Sequence, residues 1–180
     1  MHGSWVSHRD WDLVVPGLAD SFRVLTYDRR GHSESERLTR QGSILEDVAD
    51  LAALIEHLNL WPAWVAGNSF GGTIALRLAG ERPDLFRGLI SHEPPLFLLL
   101  SGDPAVAPML SEVSRRFAAV AERIACGDHA GAAKLFVESV ALGPGSWPQV
   151  PPQLQSIFIE NAPTFLDEVN DSEQLAFDLE

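Results

Sequence analysis

Along the first hundred residues short apolar runs alternate with amphipathic stretches, and beyond them only amphipathic stretches follow. Residues 63–66 are a compact apolar run that predicts a buried strand. Residues 22–27 and 86–91 are rich in β-forming side chains and predict two more strands. Ile44, Val48, Leu51, Ile55 and Leu58 recur at spacings of four, three, four and three. That spacing predicts a helix with one buried stripe. Ser43 and Glu46 predict a capping box at its start, in which the Ser43 hydroxyl accepts the Glu46 N–H and the carboxylate reaches back. Asn59 and Pro62 predict its end. Residues 71–79 predict another helix, ended by Pro83. Residues 7–18 predict a loop and a short helix interrupted by Pro16-Gly17.

Strand, helix, strand, helix, strand over residues 22–93 predicts an α/β arrangement with a parallel sheet. In such sheets ligands sit beyond the carboxyl ends of the strands. The polar clusters at residues 28–35, at Ser69 and at His92-Glu93 all fall there. From Asp103 onward the pattern is helical. Asp103-Pro104 predicts an N-cap followed by a first-turn proline. Val106, Leu110, Val113, Phe117, Val120 and Ile124 form a stripe, with Val113, Phe117 and Val120 expected to face inward, and Gly127 ends it. Asp128 predicts the cap of a second helix that stops at Gly143-Pro144. Pro151-Pro152 starts a third, which Pro163 is expected to kink or restart.

Composition narrows the function. The 180 residues suit one domain, or one domain with an insertion, and 46% hydrophobic content suits a globular core. Thirteen Lys and Arg against 25 Asp and Glu give a net charge of −12, which argues against nucleic acid and anionic membrane surfaces as partners. No basic residue follows Lys134, and the acidic end reads as a solvated face. The single cysteine, Cys126, excludes an internal disulfide and suits a reducing compartment. The beginning lacks the basic start and apolar segment of a signal peptide, and the longest apolar run, residues 96–100, is too short to cross a bilayer. The expectation is a cytoplasmic protein.

Candidate chemistry centres on Gly67-Asn68-Ser69-Phe70-Gly71, a Gly-x-Ser-x-Gly pattern between a predicted strand and a predicted helix. In that context the pattern is a sharp turn that lifts the serine hydroxyl off the sheet edge beside helix N–H groups. The glycines leave room for crossing backbone. Several further stretches occur in a telling order: His2-Gly3-Ser4-Trp5, then Asp28-Arg29-Arg30-Gly31-His32-Ser33-Glu34-Ser35, then the serine turn, then His92-Glu93-Pro94-Pro95. Together they resemble the α/β-hydrolase fold superfamily in its lidded form, including its esterase-like and haloperoxidase-like members. Ser33 stands where that family's second loop glycine is found.

The resemblance implies a partial parallel sheet with helices on both faces over residues 1–100, followed by a helical lid over residues 101–180. It implies Ser69 as nucleophile, with the N–H groups of Ser4 and Phe70 as an oxyanion hole. It places the histidine base and the usual acid after later strands, so the chain reads as a fragment truncated at both ends and inactive by itself. Glu93, after the third predicted strand, is the candidate acid within the chain, weighed against a loop carboxylate. His92 is a weaker candidate base. His2, Gly3, Trp5, Asn68, His92, Phe97 and Met109 are expected to line the pocket. Asp28, Arg30 and His32 read as a loop network, with Asp28 and Arg30 tying the turn. His8, His57 and His129 read as solvated. The expected function is serine-dependent hydrolysis of an ester-like or other small acyl substrate, without metal or cofactor. The alternative is a non-catalytic binding or scaffold protein that keeps the serine turn.

Overall fold

A computed structural model describes residues 1–37 and 39–173. Two strands, β1 (Ala63–Asn68) and β2 (Phe86–His92), pair in parallel, with Trp64 opposite Gly88 and Ala66 opposite Ile90. Between them runs α3 (Phe70–Glu81), which packs on both strands. The helix α2 (Ile44–His57) lies against α3. Ile44, Val48, Leu51 and Ile55 of α2 meet Val65, Phe70, Ile74 and Leu78 in the first core. The four-three spacing therefore does what it predicts. Each such side chain contributes about 1.5–3 kcal/mol by leaving water.

Two local details of α2 and its neighbour differ from expectation. Ser43 Oγ accepts from the Leu45 N–H at 3.3 Å, while the Glu46 N–H takes the Ser43 carbonyl at 3.0 Å. The Glu46 carboxylate is drawn to Arg40 and Arg30, because a guanidinium is a stronger partner than a neutral N–H. In α1 (Val15–Ala19), Pro16 does not interrupt the helix but sits in its first turn, where its missing N–H has no partner to lose.

The larger correction concerns residues 22–27, which form no strand. Among the described residues they have no ladder partner. A β-rich sequence becomes a strand only when its N–H and C=O groups find another strand. The position beside β1 is held by Met1, whose carbonyl accepts the Asn68 N–H at 3.1 Å. One residue cannot bridge β1 to residues 22–27. Phe22 and Leu25 are left 53% and 43% exposed. Trp64 and Ile90, on one face of the sheet, are also exposed.

Three helices make up the second half: α4 (Ala107–Ala125), α5 (His129–Phe136) and α6 (Pro152–Asn170). Asp103 does not cap α4. Its Oδ1 takes the Ala105 N–H at 2.8 Å in a preceding turn, and the first-turn proline is Pro108. Such Asp side-chain turns compete with helix capping. Gly127, at φ +79°, ends α4 in the left-handed region that glycine reaches without strain. Asp128 caps α5 through the Gly131 N–H at 2.9 Å, and α5 runs on through a π turn, Val137–Ala141. Pro163 lies inside an unbroken α6.

Val120 and Ile124 of α4, Ala132 and Ala133 of α5, and Ala162 and Phe165 of α6 form the second core, with Phe117 packed against it. Val113 is only half-buried. Trp5, from the first half of the chain, is fully buried in this core. No described helix is long and apolar enough to cross a membrane. The apolar Leu175, Ala176, Phe177 and Leu179 and the acids Asp178 and Glu180 lie outside the described residues.

Candidate active site

The serine turn is strained, and the strain is local to one residue. Ser69 sits at φ 51°, ψ −126°, outside the helix that begins after it. A left-handed φ at a residue with a side chain costs of order 1–3 kcal/mol and persists only where the surroundings enforce it. Here the Ser69 N–H donates to the His92 carbonyl at the end of β2, at 2.8 Å. The Ser69 carbonyl takes the Gly72 N–H at 2.8 Å. A Cβ on Gly67 would lie 2.5 Å from the Gly71 carbonyl oxygen, and one on Gly71 would lie 2.3 Å from the His2 carbonyl oxygen. Only glycine allows backbone to pass that close.

The His2-Gly3 turn closes on the same serine. A Cβ on Gly3 would fall 2.9 Å from Ser69 Cβ and 3.5 Å from Ser69 Oγ. His2 is buried, and its ring orients the turn. Its Nδ1 donates to the Gly3 carbonyl at 2.8 Å, while its Nε2 accepts the Arg29 N–H at 2.8 Å. One nitrogen donating and one accepting is the neutral imidazole. Burial, together with the Arg29 charge, pushes the His2 pKa down to about 3. The Gly3 carbonyl belongs to the peptide that carries the Ser4 N–H. Fixing one end of that planar unit fixes the other.

Arg29, which no sequence pattern singles out, is the central cation. It is 2% exposed. Its guanidinium meets Asp47 of α2 at 3.0 and 3.3 Å and Glu168 of α6 at 3.0 Å, and it lies over the Phe70 ring at 4.8 Å. Burial works against its charge, but Asp47 and Glu168 outweigh burial and raise its pKa. Glu168 is pushed up by burial, against the pull of Arg29. The other oxygen of Glu168 accepts the Ser4 hydroxyl.

The remaining sequence candidates scatter. Asp28 and Arg30 do not pair with each other. Asp28 takes His8 Nδ1 at 2.9 Å, so His8 is not merely solvated, and Arg30 reaches Asp50 at 2.7 and 2.9 Å. Two carboxylates already on α2 offer the guanidinium a bidentate partner that the turn cannot. His32 is buried, with Nδ1 at 3.0 Å from the Arg30 carbonyl and Nε2 at 3.1 Å from Thr164 Oγ1. Burial holds its pKa well below the usual histidine range.

Glu93 is exposed at φ 47°, immediately after β2. His92 is also exposed and meets Asn68 Oδ1 at 2.8 Å. Among the described residues, Ser69 Oγ has no side-chain hydrogen-bond partner. Of the expected pocket residues, His2 and Trp5 have no exposed surface, so they stand behind any cavity wall rather than on it. Phe97 packs edge-on against Phe117, and Met109 is about half exposed. A cavity of about 100 Å³ behind the serine turn is bordered by Arg29, Phe70, Thr164 and Glu168, and it does not reach Ser69. Among the described residues no three His, Cys, Asp or Glu side chains are grouped as metal ligands.

One signal could have revealed the missed residues. Asn161, Thr164 and Glu168 are spaced three and four apart, a single face of α6, and all three are buried. Asn161 takes the Ser33 N–H at 2.7 Å and gives to the Val6 carbonyl at 3.0 Å. That polar strip fastens α6 to both loops beside Ser69.

A β-strand, a left-handed serine and a helix, closed by a His-Gly turn, define a hydrolase-type scaffold. A family model described as alpha/beta hydrolase fold matches residues 1–153, and the chain belongs to that family. It is 33% identical over 136 residues to the magnesium-chelatase 30 kDa subunit of Rhodobacter capsulatus, covering 69% of this chain and 47% of that protein. It is 32% identical over 111 residues to a bifunctional esterase/perhydrolase of Acinetobacter calcoaceticus, covering 59% of this chain and 40% of the relative. A thermophilic esterase from Thermogutta terrifontis, solved with malate bound, superposes with a TM-score of 0.65 at 25% identity, over 92% of this chain and 58% of the esterase. The chain thus spans less than half the length of these two curated relatives.

Proposed function

We propose that this chain carries the nucleophile and oxyanion hole of a serine-dependent hydrolase acting on an ester-like or other small acyl substrate. The observation that carries the reading is Ser69 at φ 51° with the Gly3 backbone packed against its side chain. An esterase/perhydrolase relative and an esterase structure support the substrate class. In this reading Ser69 Oγ attacks the acyl carbon, and the N–H groups of Ser4 and Phe70 receive the oxygen that becomes negative. Each such donor lowers the barrier by about 3 kcal/mol. The hydroxyl still needs a base, and deacylation needs one again. His32 and His2 are buried with their nitrogens occupied, so neither serves Ser69. The helices of the second half act as a lid over this end of the strands. By itself the chain is expected to acylate slowly and to turn over hardly at all.

Incubating the chain with p-nitrophenyl acetate and mapping acetyl groups by mass spectrometry tests this. Acetyl accumulation on Ser69, absent from the heat-unfolded chain, is the expected result. Labelling no faster than at other serines overturns it. The non-catalytic reading is favoured by one observation, the absence of a hydrogen-bonded base at Ser69 among the described residues. A Ser69 that stays unlabelled in the folded chain would establish that reading instead.

A further inference from the structure

The turn that carries the Ser4 N–H is strained, and the last helix holds it. Trp5, the next residue, has φ 70°, a left-handed conformation that is unfavourable for a bulky side chain. Such a residue stays there only if several contacts enforce it. Its indole is stacked on Phe136 at 4.7 Å and tilted on Phe165 at 5.1 Å. Beyond it, Asn161 of α6 holds the Val6 carbonyl at 3.0 Å. Before it, Glu168 of α6 accepts the Ser4 hydroxyl, and its other oxygen is fixed by Arg29 at 3.0 Å. The same Arg29 donates its backbone N–H to His2 Nε2 and lies over the Phe70 ring. Glu168 and Arg29 therefore contact both residues whose N–H groups face Ser69 in the proposed function.

We propose that Glu168 is a positioning residue for the oxyanion hole, acting through the Ser4 hydroxyl and the Arg29 guanidinium to hold the Ser4 N–H on its target. The inference rests on the reading of Ser69 and Ser4 given above. Physically, a hydroxyl tied to a buried carboxylate locks the Ser4 side-chain rotamer and limits rocking of the Gly3–Ser4 peptide. A charge-assisted bond is about twice as strong as a neutral one, which suits it to oppose the strain at Trp5. Removing it frees the peptide to turn away while the cores on either side persist. The loss would appear in affinity for a tetrahedral adduct, with little change in melting temperature for the Ser4 variant.

Phenylboronic acid is the probe, because its boron takes up the Ser69 oxygen while the hydroxyl proton passes to the buffer, and the resulting tetrahedral boronate anion places an oxygen in the oxyanion hole. Titration of the 180-residue chain is followed by boron NMR and by the backbone amide signals of residues 4 and 70. The wild type is expected to form an adduct that Ser69→Ala abolishes. Ser4→Ala and Glu168→Gln are expected to bind about tenfold more weakly, with the residue 4 amide no longer shifting. Ser4→Thr, which keeps the hydroxyl, is expected to restore both affinity and shift. Wild-type affinity in Ser4→Ala and Glu168→Gln would overturn the positioning role and leave the nucleophile reading intact. No Ser69-dependent adduct in the wild type would overturn the nucleophile reading, and this inference with it. Should Glu168→Gln fail to fold, Ser4→Ala decides, since it removes one hydroxyl from a half-buried position.

Discussion

Two regions of the first layer contrast sharply. At the carboxyl ends of the strands, His2, Arg29, His32, Asn161, Thr164 and Glu168 are polar yet buried, and each has named hydrogen-bond partners. At Phe22 and Leu25, and on the sheet at Trp64 and Ile90, the side chains are apolar yet exposed. The difference teaches that order here follows partners rather than hydrophobicity. Burial is costly for a charge and favourable for a tryptophan, but Arg29 has two carboxylates to meet and Trp64 has no covering layer among the described residues.

Breaking the polar end has the largest expected effect. Arg29→Met leaves Glu168 and Asp47 facing each other without their cation, and is expected to cost about 3–5 kcal/mol in a urea melt. A loss near zero would mean that the buried ion pairs merely offset their own desolvation. Next comes Gly71→Ala. Its Cβ would lie 2.3 Å from the His2 carbonyl oxygen, so the serine turn or the His-Gly turn must move. The expected cost is about 1–3 kcal/mol, and circular dichroism melts of the variant measure it.

A third test uses pH. The folded-state pKa of His2 is lowered to about 3, and that of His32 is lowered in the same direction. A histidine kept neutral by the fold takes its proton more readily when unfolded. The stability it supports is fully present above about pH 6.5 and falls as pH drops from there towards about 3, by at most about 1.4 kcal/mol per pH unit per group. Glu168, with its raised pKa, works in the opposite sense: the stability it supports is fully present below about pH 4.5 and is lost as pH rises through its folded pKa. Denaturant midpoints at pH 7 and pH 5 are expected to differ, with the lower value at pH 5. A higher midpoint at pH 5 would show that Glu168, rather than the two rings, governs this interval.

The smallest effect is at the exposed apolar face. Trp64→Thr together with Ile90→Thr should change stability by no more than about 0.5 kcal/mol per site, because both side chains are about 60% exposed. Sedimentation should show less self-association than in the wild type, since exposed apolar faces beside an open strand edge promote it. A large loss of stability would show that the face is covered after all.

The α2 stripe, the Gly-Ser-Gly turn and the helical second half were legible because each depends on neighbours close in sequence. Periodicity fixes which side of a helix is apolar, and glycine spacing fixes where backbone can cross. Asp128 and Gly127 read correctly for the same reason. Arg29 and Glu168 were not legible. One stands among polar loop residues and the other among acids near the end of the described chain, 139 positions apart, and nothing local marks them as a pair. The α6 strip of Asn161, Thr164 and Glu168 carried a faint signal, polar residues at buried-face spacing.

What the sequence determined by itself is the set of features that depend on residues close along the chain: the helices, the cap at Asp128 and the glycine spacing of the serine turn. What only the tertiary structure decided is whether residues 22–27 become a strand and which charges are buried. A ladder bond and a buried ion pair each need a partner supplied from elsewhere in the chain. Residues 22–27 find none among the described residues, and Arg29 finds two.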